Sequence, residues 1–162
     1  MREHRIVLLA GDGIGPEITS VTKNLLDAAS KKHQFNLIFE EKPFGGAAID
    51  AVGKPLPTDT LKACQASDAV LLAAIGNPRF DKNPRELRPE SGLLELRAGL
   101  KLFANLRPVK VLPALINSSS LKAEFISNVD LMVVRELIGG IYFGQPKGRI
   151  KTDEQERAFN TM

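Results

Sequence analysis

The sequence predicts an α/β fold with a largely parallel sheet, and two observations carry that prediction. Apolar runs of strand length, at 5–10, 35–40 and 68–75, alternate with segments of helical composition. The first run leads straight into a glycine-rich turn, Gly11-Asp12-Gly13-Ile14-Gly15, and then into Pro16-Glu17. Proline suits a first helical position and a first-turn glutamate suits the helix dipole, so a helix is expected from there to about Lys32. The turn is not a Rossmann dinucleotide fingerprint. Its third required glycine position is Pro16, where close helix–sheet packing leaves no room for a ring.

The elements follow in order. After the second strand, Pro43-Phe44-Gly45-Gly46 leads to a short helical piece at 47–52. Pro55 and Pro57 punctuate a loop, and Thr58 or Asp59 caps a helix to about Ala66. The third strand ends at Ile75, and residues 76–89 leave its carboxyl end as a long polar loop. Open α/β sheets bind ligands at strand carboxyl ends, and long loops in compact domains are either functional or simple connectors.

The next stretch, 89–108, organises the rest. Ser91 is a candidate N-cap, and Leu96, Leu100 and Phe103 recur at helical spacing as a core stripe. Leu93 and Arg97 are four apart and stand on one face beside that stripe. Pro108 disfavours helix at Arg107, which therefore lies in extended chain. By spacing alone, two arginines near such a helix are an ordinary solvated face. Beyond Pro108 the reading gives an apolar, proline-interrupted segment at 109–115, and Ser118-Ser119-Ser120 capping a short helix through about Phe125. A strand follows at 130–135 with Arg135 at its end, then a Gly139-Gly140 turn and an extended piece at 141–144. Residues 147–150 and 158–160 form a hairpin. No internal repeat or low-complexity segment occurs.

Composition narrows the function classes. A chain of 162 residues, 43% apolar and 25% charged, is long enough for a globular core. Its one cysteine, Cys64, forms no internal disulfide and gives no metal cluster, which fits a cytoplasmic protein with a packing thiol. The longest apolar run, 69–75, is too short to cross a bilayer, and residues 1–5 lead into no secretory apolar region. A net charge of +3 and 6% aromatics do not argue for nucleic acid, and the local bases Lys147, Arg149 and Lys151 are followed by Asp153, Glu154 and Glu156. His4 and His33 have no catalytic company.

The strings Leu93-Leu94-Glu95-Leu96-Arg97 and Leu106-Arg107-Pro108, with Gly-Asp-Gly-Ile-Gly-Pro-Glu (11–17), Val-Val-Arg-Glu (133–136) and Gly-Gly-Ile-Tyr-Phe-Gly (139–144), fall in one order. In that order they resemble the β-decarboxylating dehydrogenases of isopropylmalate, isocitrate, homoisocitrate and tartrate, over 5–162. The resemblance implies the layered isopropylmalate-dehydrogenase-like fold. It divides the chain into the first part of a nucleotide-binding domain, 1–100, and the start of a substrate and dimerisation domain, 101–162, whose hairpin arm at 139–160 is exchanged in a homodimer. It also implies that this chain is the amino-terminal portion of such an enzyme and is inactive alone.

The implied chemistry is NAD-dependent oxidative decarboxylation of a small dicarboxylate. Arginine's planar fork grips carboxylates through paired charge-assisted bonds, and Arg97, Arg107 and Arg135 match the family's substrate arginines. Leu93 and Leu94 would meet the substrate's apolar branch, which favours isopropylmalate, in leucine biosynthesis, over isocitrate; homoisocitrate is the nearer rival. Tyr142, the only tyrosine, matches the family's general acid. Gly76, Asn77, Pro78, Pro89, Glu90 and Ile14 would lie at the NAD. Here Asn77-Pro78-Arg79-Phe80-Asp81 departs from the family's more usual Gly-Gly/Tyr, Pro/Tyr, Lys-Trp-Asp wording. The Mg²⁺ or Mn²⁺ ligands and the lysine base come later in the family's chain, so no metal ligand is expected within these residues. The other class of reading is a non-catalytic partner subunit acting through the arm.

Overall fold

Strand β1 (Glu3–Gly11) lies between β2 (Asn36–Glu41) and β3 (Ala69–Ala74), and both pairings are parallel. The computed structural model describes residues 3–137, 139–153 and 155–161, with only the backbone of Tyr142 and Phe143. The chain divides into two compact units, Met1–Lys101 and Leu102–Met162.

In the first unit each parallel step needs a crossover, and the helices supply it. Helix α1 (Gly15–His33) joins β1 to β2, while α2 (Gly46–Val52) and α3 (Thr58–Ala66) join β2 to β3. Two 3-10 turns, Pro78–Phe80 and Arg85–Leu87, then lead to α4 (Pro89–Gly99). Helix α1 carries Pro16 in its first turn and closes on Lys31, Lys32 and His33, with Gln34 left-handed at its C-cap. Val7 and Leu9 of β1 pack with Phe44, Leu56, Cys64 and Leu96 in the main core, and Leu8, alternating to the other face, is buried too. Ile18, Val21 and Leu25 follow one another at helical spacing on the exposed face of α1, with exposed Ile14 in its cap position.

Several local expectations are corrected. Ser91 is not the N-cap of α4. The helix starts at Pro89 with Arg88 in the cap position, and the Ser91 hydroxyl donates to the Arg85 carbonyl. Proline's fixed φ favours the first helical position, and here it outweighs the capping preference of serine. Neither Thr58 nor Asp59 caps α3, since both lie inside the helix and extended Pro57 holds that position. Leu96 and Leu100 do pack on the core, but Phe103 lies past the end of α4 and is 68% exposed.

The second unit contains an antiparallel pair, β4 (Ala104–Lys110) and β5 (Asp130–Glu136). Between them run a 3-10 turn, Pro113–Ser118, and a single turn of helix, α5 (Ala123–Ile126). The serine run therefore does not cap a helix. Ser119 Oγ instead accepts a bond from the Leu121 amide at 3.1 Å, and Lys122 holds the cap position of α5. The expected extended piece at 141–144 is one helical turn, α6 (Gly140–Phe143), closed by the Gly144 amide on the Gly140 carbonyl at 2.8 Å. The β-forming side chains there are overridden because Gly140, at φ +73°, turns the chain. Strands β6 (Lys147–Lys151) and β7 (Glu156–Asn160) make the expected hairpin.

Candidate functional site

All three parallel strands end on the same side of the sheet, and the loops that leave them are tied together by one side chain. Asp12, 7% exposed, follows β1. Its Oδ2 accepts the Gly76 amide at 2.9 Å and its Oδ1 accepts the Ala47 amide at 3.0 Å. The Ala47 amide is one of the orphan first-turn donors of α2, whose own cap residue, Gly45, has no side chain to serve it. Asp12's own amide donates to the Ala74 carbonyl at 2.9 Å. Gly11 and Gly15 of the turn answer to backbone crowding, whereas Gly13 has open space about it. A Cβ on Gly11 would stand 1.8 Å from the Ala74 carbonyl oxygen, and one on Gly15 1.9 Å from that of Ala10.

Gly76 has φ +109°, a conformation open to glycine, and a Cβ there would meet Glu90 Oε1 at 2.9 Å. The exposed Glu90 carboxylate thus stands over the start of the 76–89 loop, beside the buried Pro89. Asn77 Oδ1 accepts the Arg79 amide at 3.0 Å, fixing the turn that begins at Pro78. The unusual 77–81 wording has a physical role. Phe80 is buried, and a Cβ on Gly46 would come within 2.3 Å of its ring; Arg79 lies over that ring at 4.6 Å and pairs with Asp50 of α2. Further along, the Arg88 Nε donates to the Asn83 carbonyl at 2.9 Å, and Asn83 Nδ2 donates to the Leu87 carbonyl at 3.1 Å. Ile14 is 66% exposed at the N-terminal end of α1.

On α4, Leu93 and Leu94 are both half-buried but differ in surroundings: Leu93 packs against the main core. Arg97 is half-buried in the last helical turn, where a cation suits the helix dipole. The helix sits close to its neighbours through two glycines, Gly92 against Pro55 and Gly99 against Leu61.

In the second unit Arg107 pairs in register with Val133, and Arg135 with Asn105. Facing residues of an antiparallel pair share a side, so Arg107 and Arg135 stand diagonally on one face. Val109, Leu131 and Val133 continue that face, while Leu106, Pro108, Met132 and Val134 form the opposite, apolar one. The side chain of Tyr142 lies outside the described residues. Among the described residues no three His, Cys, Asp or Glu side chains are grouped to hold a metal ion. Burial pushes the Cys64 thiol above its usual pKa, and the Glu40 carboxylate beside Lys42 raises that ammonium. Sequence reading missed Asp12 and Phe80 as supporting residues. The available signal for Asp12 was an acid directly after a buried strand, between two glycines.

The family profile described as isocitrate/isopropylmalate dehydrogenase matches residues 5–162. The chain belongs to the isocitrate/isopropylmalate dehydrogenase family. Within that family it is 75% identical, over its whole length, to a 3-isopropylmalate dehydrogenase of Prochlorococcus marinus (strain MIT 9313), and 70% identical to one of Synechococcus sp. (strain CC9605). It spans 45% of the length of each of these curated relatives. Among solved structures it resembles an isocitrate dehydrogenase from Methylococcus capsulatus, with a TM-score of 0.73 and 27% identity, covering 98% of this chain and 42% of that one. The parallel β2–β1–β3 layer is thus part of an isocitrate/isopropylmalate dehydrogenase fold.

Proposed function

We propose that the whole protein carries out the NAD-dependent oxidative decarboxylation of (2R,3S)-3-isopropylmalate to 4-methyl-2-oxopentanoate, in leucine biosynthesis. The observation that carries this reading is the diagonal pair Arg107 and Arg135 on one strand face. Support for the substrate comes from the 3-isopropylmalate dehydrogenase names of relatives 75% and 70% identical. Arg107 and Arg135, with Arg97, would grip the two carboxylates through paired bonds. Leu94 and the exposed edge of Leu93 would meet the isopropyl branch.

The described residues suit a nicotinamide nucleotide. Gly76 leaves a gap that a Cβ would fill, and the Glu90 carboxylate beside it can accept bonds from ribose hydroxyls. Asn77, Pro78, Pro89 and Ile14 would complete that contact. When bound, NAD accepts the hydride from the substrate's hydroxyl-bearing carbon. The proposed part of Tyr142 is to give its phenolic proton to the carbon that carbon dioxide has left. The described residues do not fit a divalent cation, and the ligands of Mg²⁺ or Mn²⁺ would come from the rest of the whole protein. We further propose a cytoplasmic homodimer joined through the 139–160 arm.

The test is a steady-state assay of the whole protein with 3-isopropylmalate, homoisocitrate and isocitrate. Fastest oxidation of isopropylmalate is expected. Faster turnover of either rival would reject the substrate assignment. The 162-residue chain alone is expected to produce no NADH. If it acts instead as a non-catalytic partner, size exclusion of a mixture with the whole protein will show a mixed dimer.

A further inference from the structure

The carboxyl end of the parallel sheet holds a buried carboxylate that the proposed reaction does not use. Capping α2 would occupy one of its oxygens. Asp12 commits the second to the Gly76 amide, on a different loop, at 2.9 Å. Both oxygens are committed, one to the Ala47 amide and one to the Gly76 amide, and the carboxylate fits against the bare backbone of Gly45 and Gly46, where a Cβ would come within 2.8 Å of Oδ2 and 2.7 Å of Oδ1. The Gly76 peptide is therefore held in one orientation, which brings its bare Cα beneath the Glu90 carboxylate. The far end of the same segment is seated on the same glycine pair, because the Phe80 ring lies on Gly46. One side chain and one aromatic ring thus fix residues 76–80 from both ends.

We propose that Asp12 is a positioning residue for the nicotinamide nucleotide, acting through Gly76 to hold the 76–80 segment in its binding geometry before the cofactor arrives. The proposal rests on the reading that Gly76, Asn77, Pro78 and Glu90 meet the cofactor. Replacing Asp12 by asparagine keeps the size and one carbonyl acceptor. The other position becomes an N–H facing a backbone N–H, so one of the two loops is released.

The test uses the whole protein, wild type and Asp12→Asn, with NADH affinity read by fluorescence titration and both Michaelis constants by steady-state kinetics. The NADH Kd and the KM for NAD should rise together by roughly ten- to a hundred-fold, the scale on which small misplacements act. The KM for the dicarboxylate should stay within about two-fold, because the bonds of the Asp12 carboxylate run to the Ala47 and Gly76 amides and not to the arginines. Unchanged NADH affinity, or an equal rise in both constants, overturns the proposal. Should Asp12→Asn fail to fold, amide exchange in the wild type decides. Gly76 protected without nucleotide supports the proposal; Gly76 protected only after NADH is added defeats it. A wild type that binds NADH but leaves isopropylmalate untouched sinks the substrate assignment alone. One that binds no NADH sinks this proposal as well.

Discussion

Arg107 and Arg135 sit diagonally on the same face of the β4–β5 pair, placed there by the pairing of Arg107 with Val133 and of Arg135 with Asn105. Diagonal positions in an antiparallel pair are about 7–8 Å apart at the backbone, within reach of two long side chains converging on one anion. In the whole protein, Arg107→Ala should lower kcat/KM for the dicarboxylate by roughly ten- to a hundred-fold, the equivalent of about 1.5–3 kcal/mol for a charged hydrogen bond. Arg107→Lys should recover only part of that loss, since it keeps the charge and loses the fork. Equal activity of the lysine variant and the wild type would remove paired recognition from the mechanism.

Leu93 and Leu94 are adjacent but should fail in different ways. Leu93 packs on the core, so Leu93→Ala should lower the urea midpoint, with a cost of about 1–3 kcal/mol for a half-buried leucine. Leu94→Ala should leave the midpoint nearly unchanged and reduce the preference for isopropylmalate over smaller malates by about 10- to 200-fold at most. Chemical denaturation and competition kinetics on the two variants separate these effects.

Two glycines of α4 should also respond differently to alanine. A Cβ on Gly92 would meet Pro55 at 2.9 Å, including backbone atoms at 3.0 Å that cannot move aside. Gly92→Ala should therefore destabilise the protein by roughly 1–3 kcal/mol. At Gly99 the contact is Leu61 Cδ1 at 2.7 Å, the tip of a flexible side chain. Its displacement is offset by the gain of up to about 1 kcal/mol in helix propensity, so Gly99→Ala should be close to neutral. Thermal unfolding of both variants provides the comparison.

Cys64 should resist modification while the fold persists. It is 3% exposed, and burial raises its thiol pKa, so the reactive thiolate is both scarce and covered. Aromatic disulfide reagents should label it slowly in buffer and quickly in urea. A raised pKa in the folded state means that the unfolded chain loses its proton first. Stability should thus be unaffected by this group below about pH 8.5, the ordinary thiol value, and should fall as pH climbs from there through the folded pKa. Cys64→Ala should flatten that alkaline decline.

Strand and helix order was legible because apolar runs and turn residues are local signals, and β1, α1 and the parallel alternation follow from them. Arg107 in extended chain was equally legible from Pro108, which disfavours helix before it. The start of α4 was not, because Pro89 and Ser91 each carry a valid N-terminal signal and only the packed structure chooses between them. Asp12 was legible only as an acid after a buried strand, between two glycines, and its role was not. Its partners, Ala47 and Gly76, are brought to it by the sheet, and no pattern within the turn names them. Strand register is likewise a pairwise property, so the shared face of Arg107 and Arg135 required both strands in place.

The central place of β1 has a bearing on how the chain is made. It is the earliest of the three strands to be synthesised, yet its pairing with β3 cannot form until much later: the bond from the Arg5 amide to Asp68 spans 63 residues. At translation speeds of about 5–20 residues per second, that interval lasts several seconds. Throughout it, a strand whose middle is Val7, Leu8 and Leu9 waits with one edge open. Nascent β1 is therefore the segment where a ribosome-associated chaperone has most to shield, and slow codons between β2 and β3 would lengthen the exposure.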